Sequence, residues 1–221
     1  MLFDLRGRGR RRTVQAVYLG LAILLGGGLV LFGVGAGNGN GGLLNAFSGN
    51  GSGSNQNAVA SSQEKAALKQ IKLSPNGPAG WAALVQARWT SAGQGSNFNS
   101  TTGQFTTSGK KKLSATTQAW QRYLTLTKTP DPNLAVLAAR AYGAQANYSG
   151  MAGAWEIETA ANPTQVKGFE CLAVSAYSAK QTRKGDLAMT KALTLVPKAN
   201  RALLKTQIQQ AKTNPAIAQQ C

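Results

Sequence analysis

Few residues of this chain are equipped for chemistry, and their types exclude most of it. The 221 residues contain no histidine, which removes Ser-His and Cys-His nucleophile pairs and the commonest metal ligand. Beyond residue 37 the acids are Glu64, Asp131, Glu156, Glu158, Glu170 and Asp186. Glu156 and Glu158 stand two apart, so on a helix they do not share a face and cannot divide acid and base roles. No catalytic set, cofactor or metal is therefore expected. Two cysteines, Cys171 and Cys221, are too few for a zinc site. Outside the cytoplasm they can bridge. Otherwise Cys171 is a small buried helix residue and Cys221 a free end. Positive charge is what remains. Lysine and arginine number 24 against 7 acids, a formal +17. From residue 38 onward 19 basic side chains face six acidic ones, about +13. Lys110, Lys111 and Lys112 form a run suited to a polyanion.

The elements that must position these groups are helical. Residues 132–197 read as two consecutive hairpins of one design. The first holds Ala138-Ala139-Arg140-Ala141-Tyr142, then Asn147-Tyr148, Met151, Trp155 and Asn162-Pro163. The second holds Ala173-Val174-Ser175-Ala176-Tyr177, then Gly185, Met189, Lys191-Ala192-Leu193 and Val196-Pro197. The small residues let paired helices approach, and the aromatic ones fill what remains between them. Each proline ends the second helix, because it lacks an N–H and clashes with the preceding turn.

This pattern, with a period near 34, resembles the tetratricopeptide repeat. The resemblance runs from about Trp81 to Lys212. Trp89 takes the place of Tyr142 and Tyr177 in a first, degenerate unit. A polar insertion, 94–109, then separates its two helices, and the second helix is expected from about Lys111 to Lys128. Asp131 is placed to cap the next helix, with Pro132 in its first turn. An opening helix is expected near Ser61, where Ser61 and Glu64 have capping-box spacing. A closing helix is expected from Asn200, and 215–221 reads as a tail. The fold class is thus all-α, about three antiparallel helix pairs plus a capping helix. The resemblance implies a peptide-binding inner face lined by the first helix of each unit. It carries Asn133, Val136, Arg140 and Ala144 onto that face in one unit, and Cys171, Ser175 and Ser178 in the next. These are neutral or basic, which suits an acidic or extended partner segment.

The first third of the chain has another character. Residues 1–13 carry five arginines against Asp4, and 14–36 run without a charge. About 22 residues at 1.5 Å rise span roughly 33 Å, enough to cross a hydrocarbon core. The arginines place that end in the cytoplasm and the remainder outside. The rival is a cleaved signal peptide, whose apolar region is usually about 7 to 15 residues. Residues 37–60, rich in Gly, Asn and Ser, read as a flexible linker. The layout is similar to bacterial single-span proteins with an outer tetratricopeptide domain. One such type accompanies the Sec translocon and hands substrates to periplasmic chaperones. The expectation is a non-enzymatic scaffold of the cytoplasmic membrane that binds a protein partner in the envelope. The alternative is a binder of anionic wall polymer or lipid headgroups, and a helical wall-modifying enzyme is a third. Topology disfavours nucleic acid.

Overall fold

A computed structural model describes residues 54–221. The basic tail, the apolar segment 14–36 and the first part of the linker lie outside the described residues. No helix among the described residues is long and apolar enough to cross a membrane.

The described chain is all-α apart from one short β-hairpin. Helix α1 (Ser54–Leu73) packs on α2 (Pro78–Ala92), and α2 packs on α3 (Thr107–Leu126). Between α2 and α3 lie a 3₁₀ turn (Gly95–Asn97) and strands β1 (Phe98–Asn99) and β2 (Gln104–Phe105). Then α4 (Pro132–Ala144) packs on α5 (Tyr148–Ala161), and α5 on α6 (Val166–Ser178). Helix α6 packs on α7 (Thr182–Leu195), and α8 (Lys198–Gln209) lies against α6 and α7. Two 3₁₀ turns, Gln210–Lys212 and Pro215–Gln220, finish the chain against α6.

The two central hairpins share one chemistry. In α4–α5 the Tyr142 ring lies on the backbone of Gly150, where any Cβ would overlap the ring. In α6–α7 the Tyr177 ring lies on Gly185 in the same way. The turns match as well. The Asn147 N–H reaches the Tyr142 carbonyl and the Ala146 N–H that of Gly143. The Gln181 N–H reaches the Ala176 carbonyl and the Lys180 N–H that of Tyr177. Both are Schellman closures, and each puts a non-glycine residue at positive φ: Ala146 at 55° and Lys180 at 61°. Fully buried alanines 135, 138, 139, 152, 173, 176 and 192 let the helices approach, while Trp120, Met151, Trp155 and Tyr177 fill the core. Asp131 caps α4 as expected, accepting from the Asn133 N–H at 2.8 Å with Pro132 in the first turn.

Three boundaries differ from the sequence expectation. Helix α1 starts at Ser54, so 54–60 is helix and not linker, and its Ala60 is buried. Ser61 and Glu64 therefore form no capping box. Glu64 instead accepts charge-assisted hydrogen bonds from Arg88 at 3.0 Å and Lys112 at 2.7 Å, stronger than a cap to a neutral N–H. Helix α3 starts at Thr107 and ends at Leu126, because Thr106 caps it by accepting from the Gly109 N–H. Residues 215–221 are not a loose tail. Asn214 caps the last 3₁₀ turn, and Ala218 is fully buried.

Candidate functional site

The insertion between α2 and α3 is ordered by its own polar side chains. Asn97 donates to the Ser91 carbonyl at 2.8 Å, and Asn99 accepts from the Thr101 and Thr102 N–H groups. Phe98 meets Phe105 edge-on across the strands, with centroids 5.1 Å apart, and Phe105 approaches Trp89 at 6.4 Å. Gly109 allows α3 to press against this loop, since a Cβ there would overlap the Asn97 carbonyl. The hairpin is thereby held as a wall beside α2 and α4.

Behind that wall is a cleft of about 560 Å³. Trp89 and Phe105 supply its aromatic surface, and Arg140 and Ala144 of α4 enter from the adjoining side. Lys110 stands at the start of α3, and Gln219, Gln220 and Cys221 close the far end. Its charged side chains are Lys110 and Arg140, with no Asp or Glu among the lining residues. Neither cation pairs with a carboxylate among the described residues.

The expected inner face divides at this cleft. Arg140 and Ala144 line it. Asn133 is exposed and Val136 half-buried against the core, and neither lines the cleft. Cys171, Ser175 and Ser178 are buried, so they offer no open surface as the groove reading expected. The reason is the last segment of the chain, which lies on that side of α6. The Ser178 hydroxyl donates to the Pro215 carbonyl at 3.1 Å, and Ser175 is satisfied within its own helix by the Cys171 carbonyl at 2.7 Å. Cys171 and Cys221 form a disulfide, which selects the bridged alternative. In the lysine run, Lys110 and Lys111 are exposed, but Lys112 is committed to Glu64. That ion pair takes it out of the polyanion surface expected of all three.

No protein-family model, curated protein or solved structure matches this chain.

Electrostatics follow from how the acids are spent. Glu64 is raised by burial, but hydrogen bonds from Lys112 and Arg88 outweigh that and leave its carboxyl below the usual glutamate range. Glu156 pairs with Lys184 at 2.8 Å, Glu170 with Lys167 at 3.2 Å, and Asp186 lies 3.7 Å from Lys212. Asp186 also accepts from the Tyr177 hydroxyl at 2.5 Å. Burial and that bond push the phenol far above its ordinary range. Asp131 is used as the cap, and Glu158 is buried. All six acids of the described residues are thus occupied or buried. Five of the 19 basic side chains hold ion pairs, leaving fourteen without a carboxylate partner.

The sequence left the role of Phe105 open and gave no sign of the turn at Gln219 and Gln220. Phe105 was visible only as one phenylalanine in a polar stretch, and its pairing with Phe98 has no periodic signal. Gln219 and Gln220 lie in a segment too short and too small in side chain to announce packing.

Proposed function

We propose that this chain is a tetratricopeptide-like scaffold that grips an extended, acidic segment of a partner protein in the cell envelope. One observation carries the reading. The cleft between α2, α4 and the inserted hairpin joins two cations lacking carboxylate partners to two aromatic surfaces, and no Asp or Glu side chain lines it. Such a cleft favours a backbone that brings carboxylates to Lys110 and Arg140 and apolar side chains to Trp89 and Phe105. The repeated Tyr-on-Gly hairpins support the repeat assignment. The five arginines before the apolar segment 14–36 support a single span with the described domain outside the cytoplasm.

The test is fluorescence anisotropy with a labelled extended peptide alternating glutamate and small apolar residues. Arg140 is exposed, so Arg140→Glu leaves the melting temperature unchanged. Reversal at the centre of the cleft is expected to weaken binding roughly tenfold or more, about 1.4 kcal/mol. Unchanged affinity would move the site elsewhere. A second reading, surface attraction to anionic wall polymer or lipid headgroups, is favoured by Lys110 and Lys111, both exposed and without acid partners.

A further inference from the structure

The inner face of the third hairpin already holds a segment of this chain. On α6 that face is built of Cys171, Ser175 and Ser178, side chains small enough to leave a shallow channel. The turn Pro215–Gln220 lies in it. Ala218 is fully buried, Ser178 bonds the Pro215 carbonyl, and Gln219 reaches the Tyr148 hydroxyl at 3.5 Å. None of the segment's side chains is charged. Ala216, Gln219 and Gln220 remain exposed, and its contribution to the core is Ala218 with Ile217 and Cys221 packed beside it. Its covalent fastening is the Cys171–Cys221 bond. Its far end is also a wall of the cleft that holds Arg140.

We infer that Pro215–Cys221 is an intramolecular ligand, and that opening the disulfide yields the third hairpin's channel to a partner segment of the same chemistry. That partner segment is short, uncharged, and made of small apolar and glutamine side chains. The inference rests on the groove reading and lengthens it: acidic residues of the partner lie at Arg140, and its small residues replace Ala218 and its neighbours.

The reductant is a dithiol. Cys171 is fully buried, whereas Cys221 is partly exposed and lines two cavities, of about 560 and 260 Å³. The attacking thiolate therefore meets the Cys221 sulfur. A mixed disulfide forms there, and the S–S bond breaks to give the Cys171 thiolate, which takes up a proton. The second thiol of the dithiol then attacks the mixed disulfide, releasing Cys221 as a thiol and leaving the reductant oxidised. Two electrons and two protons pass to the protein.

The experiment uses the full chain and a labelled peptide of sequence Thr-Asn-Pro-Ala-Ile-Ala-Gln-Gln-Ser. Once unbridged, the tethered segment exchanges with a partner but still competes at high effective concentration, so the peptide assay uses a variant whose tail is also displaced. The variant is Cys221→Ser combined with Ala218→Asp, which puts a charge where the channel is dry. The oxidised wild type is expected not to bind the peptide. The double variant is expected to bind it saturably, with its helical circular dichroism preserved. In the wild type, a dithiol is expected to speed hydrogen exchange at Cys221 and Ile217 at least tenfold, leaving α6 protected. Loss of helical signal in the variant or on reduction would overturn the inference, by showing the segment to be core. So would a folded variant that ignores the peptide. The glutamate-containing peptide is titrated against the oxidised wild type and the small-residue peptide against the double variant, so each site is read with its own probe. Failure of the acidic site and failure of this one are therefore separately visible.

Discussion

At the scale of single residues, the carboxylates divide into one that stabilises the fold at neutral pH and one that opposes it. Glu64 is held low by Lys112 and Arg88. Its contribution is fully present above the unfolded glutamate value of 4.5 and is lost as pH falls through its folded value. Glu158 has the opposite sign. It is 6% exposed, one oxygen accepts from Asn162 at 3.1 Å, and the other has no partner. Burial raises its pKa, and the Asn162 bond only partly offsets this. Between 4.5 and that raised value the folded state holds more protons than the unfolded one, so stability falls as pH rises. Gly168 presses on this carboxyl, where a Cβ would overlap Oε2, so the group cannot swing toward water without moving α6. Glu158→Gln keeps the shape and the Asn162 contact and removes the desolvated charge. It is expected to stabilise the domain by about 1–2 kcal/mol at pH 7.5, with the gain vanishing at pH 4. Denaturant unfolding at the two pH values checks this, and an equal effect at both would mean that ionisation is not the cause.

At the scale of elements, the turns between paired helices hold recoverable stability. Ala146 and Lys180 sit 34 residues apart at equivalent left-handed positions, where a Cβ costs about 1 kcal/mol. Ala146→Gly and Lys180→Gly are each expected to add about 0.5–1 kcal/mol, and together nearly the sum, because they lie in separate hairpins. Thermal unfolding measures both, and destabilisation by either would show that the turn is not the strained part. These hairpins were legible in the sequence because their signals are local and periodic: small residues before an aromatic and a closing proline, repeated at about 34 residues. The inserted wall was not legible. Its order comes from Asn97 and Asn99 bonding to backbone, and Ser, Thr, Asn and Gly in a row look the same whether or not those bonds form. The start of α1 was missed for a related reason, since Ser54-Asn55-Gln56-Asn57 is poor helix sequence that nonetheless continues into a packed helix. The groove was half legible. The repeat pattern put Arg140 and Ala144 on one face, where they line the cleft, but the occupant of Cys171, Ser175 and Ser178 comes from over thirty residues away and carries no pattern.

At the scale of the whole molecule, the distribution of charge separates the two binding readings. With every acid of the described residues committed or buried, the fourteen cations without carboxylate partners create a field of one sign. Such a field accelerates encounter with any polyanion, and it decays over a screening length of about 10 Å at 0.1 M salt and about 3 Å at 1 M. A wall polymer or anionic membrane held by this field alone loses its hold as the screening length shortens. A peptide in the cleft behaves differently. On the proposed reading its approach is steered by the same charges, but once seated it is held by Trp89, Phe105 and short-range contacts to Arg140 that salt screens less. For the glutamate-containing peptide, the association rate is expected to fall by roughly tenfold between 0.05 and 1 M salt. The dissociation rate is expected to change by only about twofold. Stopped-flow anisotropy resolves the two rates. If dissociation instead accelerates in step with the loss of association, the cleft contributes nothing beyond the surface field. The chain would then be a polyanion binder, with Lys110 and Lys111 at its centre.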